Sequence, residues 1–283
     1  MKKLFLAAMT AVALAGCGGS TQNNAQNNST TQNNAETPQL SDYKFLDARE
    51  KAFDGFTLYW LMDNEGERSF PFDLFGNVSE DIKKSLNLTD GLPTTMSAYL
   101  IKCNGKNLLF DSGMGQETSK VLDDLAKAGV TPEQVDYVYI THFHGDHIGG
   151  MLTPAGEKVF TNAEIYVSRL EKESDLGKGE QAVKMLEKYG DKIHEFNFGD
   201  KLPEDVLAIE AVGHTPGHTV FQKGNLLIVG DLMHSLALQV KYPEICANFD
   251  GDKEKCIASR KKILDFAKQN GLTICGMHLT VAK

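Results

Sequence analysis

The 283-residue sequence has one tryptophan, eight prolines and five cysteines, and no two cysteines form a Cys-x-x-Cys pair. That absence argues against a cysteine zinc site and against a thioredoxin-type redox motif. Positive charge is also scarce, with 29 Lys and Arg against 38 Asp and Glu and a net charge of −9. A nucleic-acid backbone needs a basic face, and adhesion to anionic lipid needs a polybasic patch, so neither partner suits this balance. The apolar run Leu4–Leu14 falls well short of the roughly 20 residues of a spanning helix. What is present is ordinary for a water-soluble globular protein, 41% hydrophobic and 24% charged. Such a mix excludes a wholly disordered chain, a coiled coil and a multi-span membrane protein.

Met1 to Cys17 reads MKKLFLAAMTAVALAGC, with a positive start at Lys2 and Lys3 and a short apolar stretch behind it. This is the pattern of a secretory signal peptide rather than an anchor helix. Leu14-Ala15-Gly16-Cys17 resembles the bacterial lipobox, which implies removal of residues 1–16 and diacylation of Cys17. Two or three acyl chains suffice for stable membrane attachment. The expected location is therefore outside the cytoplasm, lipid-anchored to a bacterial membrane on the periplasmic side or at the cell surface. Losing Lys2 and Lys3 deepens the acidic balance by two further charges. Residues 17–41 then form a tether: GGSTQNNAQNNSTTQNNAETPQLS holds one apolar side chain larger than Ala, Leu40. It cannot bury enough surface to offset its ordering entropy.

The remaining residues, 42–283, read as one domain of alternating strands and helices. Strands are predicted at Phe56–Met62, Ser97–Cys103, Asn107–Asp111, Val135–Thr141, Ala163–Ser168, Val206–Val212 and Leu272–Gly276, with a hairpin over Thr219–Gln222 and Asn225–Gly230. Helices are predicted at Gln116–Ala128, Glu180–Tyr189 and Lys253–Asn270, and Thr131 caps a short turn carrying Pro132. This order implies a layered α/β architecture. Export would permit disulfides, and Cys246 and Cys256 bracket CANFDGDKEKC as a clip on an exposed turn. Cys103 and Cys275 lie in apolar runs that suit buried free thiols.

The chemistry concentrates where an apolar strand empties into His142-Phe143-His144-Gly145-Asp146-His147. In extended chain, residues i and i+2 share a side, so His142 and His144 can grip one cation while Asp146 and His147 reach a second. A mixed imidazole and carboxylate set suits zinc, and also iron or manganese. Further donors follow other strands: His214 and His218 in GHTPGH, Asp231 after Val229-Gly230, and His278 after Met277. His194 has no companion and reads as structural. Phe70, Phe72 and Phe75 could wall an apolar pocket, but burial in the ordinary core is the reading the sequence favours.

THFHGDHIGG, GHTPGHT, GD and the C-terminal MH together resemble the metallo-β-lactamase-fold hydrolases over Ser97–Leu279. The resemblance implies an αββα sandwich, two mixed sheets with outer helices. It implies two divalent metal ions, zinc being the expected identity. His142, His144 and His214 would hold one, Asp146, His147 and His278 the other, and Asp231 would bridge them. His218 would be structural, and Asp111 in LLFDSGMG would orient a ligand histidine. Two cations close together deprotonate a shared water near neutral pH, which becomes the nucleophile. Asp146 is then the candidate proton shuttle to the leaving group.

Asp231 stands where several β-lactam-hydrolysing relatives carry Cys or Ser, which disfavours a β-lactam substrate. GDLMHSLALQVKYPE followed by GMHL looks like the methyl parathion hydrolase group and its lactonase-like relatives. His234 occupies a place where acyl-homoserine lactonases carry a tyrosine aimed at the substrate oxygen, so it is a candidate catalytic hydrogen-bond donor or a plain core histidine. Members of the resembled family usually continue past the position of His278 with H-x-P-F-P-like residues and further strands, whereas LTVAK follows here, a departure that leaves the pairing of a C-terminal strand open. The implied activity is cleavage of a small lactone, ester or phosphotriester. Two other readings share the motif: a mononuclear iron dioxygenase of sulfur compounds, and a non-catalytic zinc-binding lipoprotein. Expected partners are a small-molecule substrate and a membrane reached through Cys17; a homodimer is compatible with the sequence.

The lipobox reading has a direct test. Expressed in a bacterial host, the chain should enter the membrane fraction with acylated Cys17, and Cys17→Ala should leave unprocessed precursor. Mass spectrometry of the N-terminus distinguishes this from cleavage without acylation, which would reject the lipid anchor.

Overall fold

The structure, a computed structural model, describes residues 37–66 and 68–280. The expected signal segment, 1–16, and the tether as far as residue 36 lie outside the described residues. The described residues begin at Thr37, within the segment expected as the end of the tether. Leu40–Asp42 makes a single helical turn because the Asp42 carboxylate accepts from the Gln39 backbone N–H at 3.1 Å and pairs with Lys268 at 3.3 Å.

The strands among the described residues are β1 (Lys44–Phe45), β2 (Glu50–Phe53), β3 (Phe56–Met62), β4 (Arg68–Phe70), β5 (Leu92–Thr94), β6 (Ser97–Cys103), β7 (Lys106–Phe110), β8 (Tyr137–Tyr139), β9 (Glu164–Ser168), β10 (Ile193–Phe196), β11 (Lys201–Leu202), β12 (Val206–Glu210), β13 (Thr219–Lys223), β14 (Leu226–Ile228) and β15 (Thr273–Cys275). The α-helices are α1 (Glu80–Ser85), α2 (Val121–Lys127), α3 (Gly145–Ile148), α4 (Arg169–Glu173), α5 (Glu180–Tyr189), α6 (Leu236–Gln239) and α7 (Lys253–Asn270). One sheet runs β10-β9-β8-β7-β6-β3-β2 and the other β1-β15-β14-β13-β12-β11, while β4 and β5 pair as a separate hairpin.

Side-chain alternation builds four layers from these two sheets. In β3 and β6, Leu58, Trp60, Tyr99 and Ile101 point one way and meet Val206, Ala208, Phe221 and Ile228 of the other sheet. The alternate residues Leu61, Ala98 and Leu100 point outward and pack on Val121 and Leu125 of α2 and Ala182 and Met185 of α5. On the far side, Val220, Leu227 and Ile274 pack against Ile263, Leu264 and Ala267 of α7. Both faces of each sheet are thus covered, which is why the strands read as near-continuous apolar runs. The result is the αββα sandwich that the motifs imply.

Strands β3 and β6 and helices α5 and α7 have the predicted bounds, and the hairpin over β13 and β14 is antiparallel as expected. The helix expected over Gln116–Ala128 is shorter, Val121–Lys127. The Asp63 carboxylate explains this: it accepts from the Met114 N–H at 2.7 Å, the Lys120 N–H at 2.8 Å, the Val121 N–H at 3.3 Å and the Ser119 hydroxyl. It caps α2 and pulls the preceding residues out of the helix. The strand expected over Val135–Thr141 narrows to Tyr137–Tyr139. Segment 63–87, for which no strand or helix is predicted, contains β4 and α1.

Asp63 is 5% exposed and collects four donors, so Asp63→Ala should cost about 3 kcal/mol through unsatisfied buried N–H groups. Chemical denaturation should report this loss, whereas a change under about 0.5 kcal/mol would mean that water replaces the carboxylate.

Candidate metal centre

The donors collect at one rim because strands end there in register. β14 pairs in parallel with β15, Ile228 opposite Cys275, so Asp231 and His278 follow at the same offset beyond the paired ends. β8 opens into Thr141–His147, and the β12–β13 pair, Glu210 opposite Thr219, closes the loop that carries His214. Close backbone approach seats the first of these segments: a Cβ on Gly150 would lie 2.1 Å from the Ser112 carbonyl oxygen, so only glycine fits.

Two groups of side chains result. His142 Nε2, His144 Nδ1 and His214 Nε2 form a triangle with sides of 3.0, 3.2 and 2.9 Å. Nitrogens bound tetrahedrally to one zinc at its usual bond length stand about 3.3 Å apart, so the triangle has the size of a coordination face. The second group is Asp146, His147 and His278. His278 Nε2 lies 3.3 Å from Asp146 Oδ2, and His147 Nε2 lies 3.6 Å from the same oxygen. Asp231 belongs to both groups: its carboxylate lies 3.4 Å from His214 and 3.8 Å from His142 on one side, and 3.0 Å from His278 and 3.2 Å from His147 on the other.

The outward nitrogens decide what the inward ones can do. His147 Nδ1 donates to Asp111 Oδ2 at 2.7 Å, His214 Nδ1 to Asp250 Oδ1 at 2.8 Å, and His278 Nδ1 to the Thr95 carbonyl at 2.9 Å. Thr141 donates its hydroxyl proton to Asp111 Oδ2 at 2.7 Å, so it accepts from His142 Nδ1 at 3.0 Å. Four imidazoles therefore present Nε2 toward the centre with a fixed tautomer, the arrangement that metal-binding histidines require. Asp111 supplies this support from a left-handed backbone, φ 58°, a conformation aspartate tolerates better than most residues. Buried His147 Nε2 and Asp231 Oδ1 have no hydrogen-bond partner. Orphaned donors of this type in an imidazole–carboxylate set fit two divalent cations.

His218 stays outside both groups. It is fully buried, donates from Nδ1 to the Ala211 carbonyl at 2.9 Å, and accepts the Asp231 N–H at Nε2 at 2.9 Å. It thereby holds the backbone of Asp231, and burial keeps it neutral by lowering its pKa to about 3. His234 is fully buried 3.3 Å from Asp231 Oδ2, stacked on His278 at a ring separation of 5.2 Å, and neither ring nitrogen has a hydrogen-bond partner. His194 pairs on the surface with Glu164 at 2.6 Å, away from the centre. Phe75 is buried in a satellite core, whereas Phe70 reaches the centre with its ring 5.6 Å from that of His278.

Several supports escaped sequence reasoning. Asp250 sits in a turn with no motif, yet it orients His214. Glu171 is 1% exposed and accepts from Phe143 N–H, Thr215 Oγ1 and Gly217 N–H at 2.7–3.0 Å, joining the two histidine loops. Arg260 of α7 is fully buried and donates to the carbonyls of Leu232, Pro243 and Ile245. Only contacts between distant segments reveal these roles. Cys246 and Cys256, expected as a disulfide clip, are free buried thiols here, as are Cys103 and Cys275.

Charge divides the groups. Burial lowers His142 well below its usual range and His144 to about 4, so both are neutral without metal. Burial also opposes charge on His147 and His278, but Asp231 and Asp146 outweigh it, holding His147 well above its usual range and His278 at about 10. Both are protonated at pH 7, and a cation entering there must displace the protons. Metal loading of the apo chain at pH 7 should therefore release about one proton fewer from His278→Ala than from the unsubstituted chain. Titration calorimetry in buffers of different ionisation enthalpy measures this, and equal release would contradict the assignment. Asp250→Asn should weaken metal affinity about 10–100-fold by loosening His214, read by competition with a chelating dye; unchanged affinity would show that His214 needs no such partner.

Comparisons with known proteins agree with this geometry. A profile of the Metallo-beta-lactamase superfamily matches residues 93–278. The solved structure of hydrolase AbOPH, of the beta lactamase superfamily, is 26% identical with a TM-score of 0.73, covering 84% of this chain and 91% of that one. AidC, described as a dizinc quorum-quenching lactonase in complex with a product, is 26% identical with a TM-score of 0.71 over the same shares. Uncharacterized protein YobT of Bacillus subtilis is 26% identical over 191 residues, 61% of this chain and 79% of its own length. A Beta-lactamase-like protein 2 homolog of Caenorhabditis elegans is 24% identical over 123 residues, but the match spans only 37% of its length. With this fold and these donor clusters, the chain belongs to the metallo-beta-lactamase superfamily as a metal-binding hydrolase.

Proposed function

We propose that the chain is a dinuclear zinc hydrolase of the lactonase and methyl parathion hydrolase type, cleaving a small lactone, ester or phosphotriester. The observation that carries this reading is the pair of donor groups sharing Asp231. The likeness to hydrolase AbOPH and to the lactonase AidC supports the substrate range. A mononuclear iron reading leaves Asp146 and His278 without a task, although both converge on Asp231.

Two bound cations supply Lewis acidity toward a carbonyl or phosphoryl oxygen and lower the pKa of a water. The chain's own residues do the rest. Asp146 is the more exposed carboxylate, its side chain 23% accessible against 3% for Asp231. Burial raises its pKa, but His147 and His278 outweigh that and hold it below the usual carboxylate range, so it is ionised at neutral pH. It accepts the proton of the attacking water and returns it to the leaving oxygen as the C–O or P–O bond breaks. Burial lowers His234 to about 4, so it is neutral and carries one N–H. Its Nε2 faces Asp231 at 3.3 Å, but Nδ1 has no partner in the protein, so an N–H carried there can donate to a substrate oxygen.

The N-terminal pattern supports a further part of the proposal: an enzyme exported and held at a bacterial membrane through Cys17, with a small-molecule substrate. Its acidic balance suits a domain that a tether holds off an anionic surface.

Purified with two zinc ions, the chain should turn over at least one member of a lactone, aryl-ester and phosphotriester panel. Assayed with two zinc ions bound, Asp146→Asn should lower kcat at least about 100-fold and His234→Ala about 10-fold. Two bound zincs without turnover of any class would overturn the reading, and one bound iron with sulfur-compound oxidation would replace it.

A further inference from the structure

Beside the two donor groups lies a cluster of buried side chains whose two thiols have no task in the hydrolysis. The thiols of Cys246 and Cys256 and the Asp250 carboxylate lie within 4.8 Å of one another. A third cation does not fit there. Arg260 Nη2 stands 3.4 Å from Cys256 Sγ and 3.9 Å from Asp250 Oδ2, so positive charge already occupies the cluster. Both Asp250 oxygens are also committed, one to His214 and the other to the Ala247 N–H at 2.8 Å.

The two cysteines bracket a loop that forms a wall of the metal centre. At its start, the Gly76 N–H donates to the Cys246 carbonyl at 3.3 Å and the Asn248 N–H to the Leu74 carbonyl at 2.8 Å. At its end, the Gly251 and Asp252 N–H groups donate to the carbonyls of His214 and Gly213 at 3.1 and 2.8 Å. A Cβ on Gly213 would lie 2.1 Å from the Cys256 backbone nitrogen, so the loop end and the His214 segment touch backbone to backbone. Between these ends the loop carries Asp250, the partner of His214, and Phe249, whose ring lies 4.9 Å from that of His234.

We propose that Cys246 and Cys256 form a disulfide on exposure to a small-molecule disulfide, closing this loop and locking Asp250 against His214. The two thiols lose two protons and two electrons, one S–S bond forms, and the reagent's disulfide is reduced to two thiols. Burial raises both thiols above their usual pKa, so they do not exchange while the loop is closed. Oxidation follows loop opening, and the bond then removes the open states.

The full chain is incubated with oxidised glutathione without denaturant, alkylated, and mapped by mass spectrometry. The expected result is a Cys246–Cys256 linked peptide with Cys103 and Cys275 alkylated only after denaturation. Tm should rise by about 5–10 °C and fall back on reduction, as closure of a short loop predicts. Cys246→Ala and Cys256→Ala, either of which serves if the other folds poorly, should show no such rise. Zinc release to a chelator should slow about tenfold in the oxidised chain. Recovery of both cysteines as free thiols, capture of either as a glutathione adduct, linkage to another cysteine, or a bond that leaves Tm unchanged would each overturn the proposal. Mapping and Tm need neither metal nor activity, so failure here leaves the hydrolase reading standing, and the converse holds.

Discussion

A single buried carboxylate organises this protein. Asp231 is 2% exposed and has five imidazoles within 3.8 Å, those of His142, His147, His214, His234 and His278. An isolated buried carboxylate would cost several kcal/mol in lost hydration. Burial pushes its pKa up, yet His147 and His278 reverse that, and Asp231 stays ionised well below its usual range. Its charge in turn keeps two of the imidazoles protonated when no metal is bound. The two halves of the centre are therefore one electrostatic unit.

That unit demands a rigid frame, because imidazoles released from it would swing to solvent. The frame is built from the unused side of each donor. Asp111, Asp250, Thr141 and the Thr95 carbonyl each bind an outward nitrogen, while His218 holds the backbone of Asp231. Glu171 and Arg260 then bind loops to loops. These buried charges are surrounded by hydrogen-bond partners, the condition under which buried ions are tolerated. The four-layer sandwich serves the same end: parallel register across β14 and β15 delivers Asp231 and His278 to one edge, and cores on both faces keep that edge from shifting.

Much of this was legible in advance because it is local. Strands β3 and β6 and helices α5 and α7 announce themselves through unbroken apolar runs or helical periodicity bounded by turn residues. The His142–His147 cluster is legible because its members share a few residues of chain, and His214, Asp231 and His278 because each follows an apolar strand. Asp63 was illegible: it shortens α2 from 57 residues away, and no window of sequence contains both. Asp250, Glu171 and Arg260 were illegible for the same reason, as their partners lie on other segments. Short edge strands such as β1 and β11 were missed because two paired residues carry no periodicity.

The sequence by itself determined the residue types of the metal centre, the layered α/β class and the acidic net charge, since composition and short-range spacing encode all three. Tertiary structure decided which nitrogen of each histidine faces inward, which carboxylate is shared, and that His218 stands behind Asp231 rather than beside it. It also decided that Cys246 and Cys256 meet at the wall of the site as thiols. Those choices depend on hydrogen bonds between residues distant along the chain, and such bonds exist only once the sheets have packed.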